Sequence, residues 1–123
     1  MDQRRTWSDS SAEDEQRRPW GGREHPQMML DLRLENGDEV GFQYYNLVAP
    51  RLSGGLLKLF FEHGTVTIKG RHLKELHRMV LRHCAAYIQE RHVSEFEARE
   101  TDPYIDRIEF GPADLTSLTR RPV

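Results

Sequence analysis

The sequence predicts an α+β fold: a small antiparallel β-meander of four or five strands with one long C-terminal helix packed on one face. Two changes of pattern carry that expectation. Between Met28 and Lys69 apolar and polar residues alternate at period two, as in strands with one buried side. From Arg71 the period becomes 3.6. Leu73, Leu76, Val80, Leu81, Cys84, Tyr87 and Ile88 then share one stripe. Neither Pro nor Gly interrupts Arg71 to Val93, so the expected helix spans 71–92, about five or six turns.

The strands follow in order. Met28, Leu30, Leu32 and Leu34 alternate with Met29, Asp31, Arg33 and Glu35. Asn36-Gly37 signals a hairpin to a second strand carrying Val40, Phe42 and Tyr44. Partners across a hairpin share a face. A three-residue loop, Glu35-Asn36-Gly37, sets Leu32 against Val40 and Leu30 against Phe42; a two-residue loop would oppose apolar to polar. Asn46 to Gly55 is a connection, with Leu47, Val48 and Leu52 as a short edge strand that Pro50 bends. Leu57, Leu59 and Phe61 mark the next strand, and a His63-Gly64 turn would set Phe61 against Val66 and Leu59 against Ile68.

Composition divides the chain. Residues 1–27 hold five basic and six acidic groups, with almost no aliphatic residues, and read as a disordered arm containing Trp7 and Trp20. Residues 28–92 hold nine basic and seven acidic groups and form the α+β domain. Residues 93–123, with four and seven, read as an acidic, mostly flexible tail with a short strand at 104–110. A core of about 65 residues is small for independent stability, which favours a homodimer. No apolar run approaches a membrane span, and the N-terminus has no secretory h-region, so a cytoplasmic location is expected.

No catalytic constellation, cofactor motif or metal site can be assembled. His72, His77 and His83 lie five and six residues apart, not at the one-turn spacing that a zinc site on a helix needs. Cys84 reads as a small buried hydrophobe on the helix. Two surfaces remain. Lys69, Arg71, Lys74, Arg78 and Arg82 form a basic ridge that could neutralise phosphates. Met29, Tyr45, Leu56 and Phe60 fall on the sheet face away from the helix and form a candidate interface, with Phe60 near its centre. The expected function is a non-enzymatic protein-interaction module that self-associates and binds a protein partner. The alternative is a nucleic-acid-binding protein that uses the basic ridge or the sheet aromatics.

Overall fold

Two four-stranded sheets replace the single expected meander. The structure is a computed structural model that describes residues 18–94 and 96–119. The first sheet is built from β1 (Trp20–Gly22), β2 (Met29–Arg33), β3 (Glu39–Gln43) and β7 (Ala85–Gln89), ordered β1-β7-β2-β3. The second is built from β4 (Leu47–Ser53), β5 (Leu56–Phe61), β6 (Gly64–Arg71) and β8 (Tyr104–Gly111), in the order β4-β5-β6-β8. Only β2 and β7 run parallel; every other pair is antiparallel. Helix α1 (Lys74–Leu81) joins the second sheet back to the first, and a short helix α2 (Leu115–Thr119) follows β8.

The core lies between the sheets and under α1. Leu30, Leu32 and Ile88 from the first sheet meet Leu57, Leu59, Phe61, Val66 and Ile68 from the second, with Leu76 and Val80 from α1 in the same cluster. At the β3 side the sheets touch through aromatic rings. Phe42 lies 4.7 Å from Phe61 and 6.0 Å from Phe110, centroid to centroid. Two residues earlier on β8, at Ile108, one carboxylate staples the two layers. Glu90 Oε1 accepts the Glu35 N–H at 2.9 Å, while its Oε2 accepts the Ile108 N–H at 2.7 Å. Beside it, Arg91 pairs with Glu35 and Asp106, and their charges raise its already high pKa.

The first hairpin has the register that parity requires. Leu32 faces Val40, Leu30 faces Phe42, and Gly37 takes φ 95° in the loop. In the second hairpin Leu59 faces Val66 and Leu57 faces Ile68, a slip of two residues from the expected pairing. A slip of two keeps every side chain on its face, which is why alternation alone could not exclude it.

The long helix is the principal correction. It ends at Leu81 after eight residues, and the second half of the expected helix is strand β7. The stop is a Schellman motif: the Cys84 N–H donates to Met79 O at 2.8 Å and the His83 N–H to Val80 O at 2.9 Å. His83 takes the left-handed conformation, φ 61°, that this motif needs. Glycine or asparagine usually fills that position, so the sequence carried no stop signal. Leu81, expected in the buried stripe, is 53% exposed.

Phe60 is the second correction. It points away from the core cluster yet is only 1% exposed. Past Gly111 the chain crosses this outer face, bringing Asp114 Oδ2 to 3.5 Å from Lys58 Nζ on β5. Arg51 and Lys58 also lie over the Phe60 ring, at 5.6 and 5.0 Å. The disordered-arm expectation, with Trp7, falls up to residue 17 outside the described residues. Beyond them, Trp20–Gly22 pairs with β7 and Trp20 is buried in the core.

Candidate nucleic-acid interface

Around the corner Arg82-His83-Cys84, where α1 turns into β7, two depressions open side by side. The first is a groove of 670 Å³ lined by Arg18, Trp20, Gly21, Gly22, Arg23, Glu24, Met79, Arg82, Cys84 and Tyr87. Its floor depends on two glycines. A Cβ on Gly21 would stand 2.2 Å from the Tyr87 ring, and one on Gly22 would stand 2.1 Å from Met79 Cε. The chain then continues along the corner, held by the Arg23 N–H donating to Cys84 O at 2.9 Å and the Gln27 N–H to His83 O at 2.8 Å. The second depression, 500 Å³, is lined by Gln27, Met28, Met29, Gln43, Tyr44, Tyr45 and His83.

Their chemistry differs. Arg18, Arg23 and Arg82 surround the first groove against one carboxylate, Glu24. Arg18 is bound to Glu75 at 3.2 Å, and Arg23 Nη1 donates to Gly22 O. The C-terminal end of α1 carries about half a negative charge, which the guanidinium groups outweigh. Tyr87 is no stacking platform: Arg33 lies 3.9 Å over its ring, tied to Asp31 and Glu39. The Asp31 carboxylate raises the Glu39 pKa, first by accepting a hydrogen bond from the protonated Glu39 carboxyl and then through its negative charge. The first groove therefore offers cations and backbone, not an open aromatic face.

The second depression offers the open aromatic face. Tyr45 is 89% exposed and Met28 86%. Tyr44 beneath them is buried, with its hydroxyl donating to Ala85 O at 2.6 Å, and burial drives its phenol pKa well up. The His83 ring stacks on Tyr44 at 4.6 Å, which fixes that wall.

The expected ridge divides. Lys69 points off the second sheet and pairs with Glu109, whose pKa is lowered mainly by that bond. Arg71 Nη2 donates to Arg99 O, and its guanidinium lies over Tyr104. Both line a separate hollow at the end of the second sheet, together with Leu56. Lys74 and Arg78 follow each other at one turn on α1, with Arg82 at its C-cap. Among the described residues no carboxylate pairs with these three. The expected interface also divides: Met29 and Tyr45 share the second depression, Leu56 lies elsewhere, and Phe60 is buried. Sequence reasoning missed Arg18 and Arg23, which sit in the presumed arm. Their one signal was Gly21-Gly22 directly after Trp20, a pair that makes sense where large side chains cross the backbone.

Among the described residues no group of three His, Cys, Asp or Glu side chains could hold a metal ion, and no helix is long and apolar enough to cross a membrane. The chain matches no protein-family model, and comparisons with curated proteins and with solved structures give no significant match.

Proposed function

We propose that the protein is a non-enzymatic binding module for single-stranded nucleic acid, held at the α1–β7 corner. One observation carries this reading: a basic groove and a cleft with an exposed tyrosine adjoin at Arg82-His83-Cys84. Lys74, Arg78 and Arg82 lead along the helix into the groove, and Arg23 stands at its rim. Tyr45 waits on the far side of the corner. Cations that track a backbone, followed by an open ring for a base, are what a sequence-tolerant single-strand site requires. The chain's net charge of −2 gives little long-range attraction, so binding rests on this local cluster and falls steeply with salt.

The protein-partner reading loses the contiguous patch that motivated it, since Phe60 is covered. Self-association remains compatible with nucleic-acid binding, because two linked copies would hold one strand with greater avidity.

The test is fluorescence anisotropy of labelled single-stranded RNA and DNA across a salt series. Arg78→Ala with Arg82→Ala should reduce the slope of log K against log salt by about 1.4, two phosphates at ~0.7 each. Tyr45→Ala should weaken binding by about 1–3 kcal/mol and leave the slope unchanged. Absence of binding at low salt would overturn the proposal.

A further inference from the structure

Each sheet has two edges, and three of the four edge strands are blunted. β1 is three residues long with a register irregularity at Gly21/Gly22. β4 carries Pro50 and an irregularity between Leu47 and Ala49. β8 is capped from the side: Ile108 N–H donates to Glu90, and the Arg91 N–H donates to Ile105 O. Natural sheets use such devices to prevent pairing with further strands.

β3 has none of them. It is the last strand of the first sheet and contains no proline, no lysine and no bulge. Its ladder phase is fixed at both ends, where the Leu34 N–H donates to Asp38 O and the Tyr44 N–H to Met28 O. Val40 and Phe42 therefore spend their backbone groups on β2. Glu39, Gly41 and Gln43 point theirs outward, and among the described residues no hydrogen bond reaches those groups.

The strand also fits a copy of itself. Glu39-Val40-Gly41-Phe42-Gln43 reads polar, apolar, glycine, apolar, polar from either end. We infer that β3 is a self-association edge, where a second copy of this chain pairs antiparallel about a two-fold axis at Gly41. In that register Glu39 faces Gln43 of the second copy, so no like charges oppose each other. Val40 faces Phe42, a favourable β-branched and aromatic pair. Gly41 meets Gly41 at the axis, where Met29, 45% exposed, reaches over its own Gly41 and would meet its counterpart. A five-residue edge is a small interface, so association should be weak, on the order of 10–100 μM. The inference does not depend on the nucleic-acid reading.

Sedimentation equilibrium of the nucleic-acid-free protein, up to about 1 mM, tests it together with amide hydrogen exchange. A reversible dimer is expected, with Glu39, Gly41 and Gln43 amide exchange slowing as concentration rises. Gln43→Glu, which sets like charges opposite each other, should weaken association about tenfold, and Gln43→Lys should not weaken it. A protein monomeric throughout the range would overturn the inference. So would a dimer whose three edge amides exchange at an unchanged rate, or one that Gln43→Glu leaves as tight as Gln43→Lys.

Discussion

Two single residues decide features that the surrounding pattern does not. His83 ends α1 by occupying a left-handed conformation, and its ring is held against Tyr44. A β-branched residue there would suffer strain on the order of 1–3 kcal/mol and would also lose the stack. His83→Val should therefore lower stability by about 2 kcal/mol or more, read by urea unfolding. An unchanged midpoint would mean that the turn does not need this conformation. Glu90 is the other case. Its two oxygens satisfy backbone donors from different sheets, and removing a charged acceptor leaves both donors without it. Glu90→Ala should cost about 2–4 kcal/mol, whereas Glu90→Gln, which keeps one acceptor, should cost roughly half as much. Nothing local in the sequence marks either residue: the donors that Glu90 satisfies lie far away along the chain, and His83 fills a helix-end position that glycine or asparagine usually takes.

At the scale of elements, α1 holds its place through Leu76 and Val80, both fully buried. Leu76→Ala should cost about 2–5 kcal/mol through lost burial and a cavity, and a thermal melt should show it as a fall of many degrees. The strands from Met29 to Lys69 were legible because parity is robust: each hairpin had to bring its apolar rows together, and a slip of two residues did no harm to the faces. β7 was illegible for the converse reason. Its buried residues, Ala85 and Ile88, are three apart, which is helical spacing inside a strand. The cause lies in the pairing. Gly21 faces Tyr87 and Gly22 faces Ala85, so Ala86 is the extra residue of an irregularity and the alternation changes phase there. Of the candidate site, the Lys74–Arg78–Arg82 row and Tyr45 could be named from spacing and exposure alone. Arg18 and Arg23 could not, because their position depends on β1 pairing with a strand that the pattern disguised as helix.

At the scale of the whole molecule, the second sheet is covered on its core face and, over Phe60, on its outer face as well, and that outer cover hangs on one carboxylate. Asp114 stands at the start of α2, accepts the Ser117 hydroxyl at 2.7 Å and the Ser117 N–H, and lies 3.5 Å from Lys58. A five-residue helix is too short to persist alone, so these bonds and the packing over Phe60 must hold it. The Ser117 hydrogen bond, and after it the Lys58 charge, lower the Asp114 pKa below its ordinary value, while its partial desolvation opposes them. With the folded-state pKa depressed, the stabilisation is complete above the unfolded-state value. It fades as pH drops through the folded-state pKa, so the change belongs below about pH 4. The Ser117 amide proton resonance should therefore move as pH is lowered through that window, and Phe60 ring signals should broaden as α2 loosens. Asp114→Asn retains a capping oxygen but no titrating charge, so its Ser117 resonance should stay flat over the same range. Identical acid profiles for parent and variant would place the control of this cover on other carboxylates, such as Glu109, which pairs with Lys69.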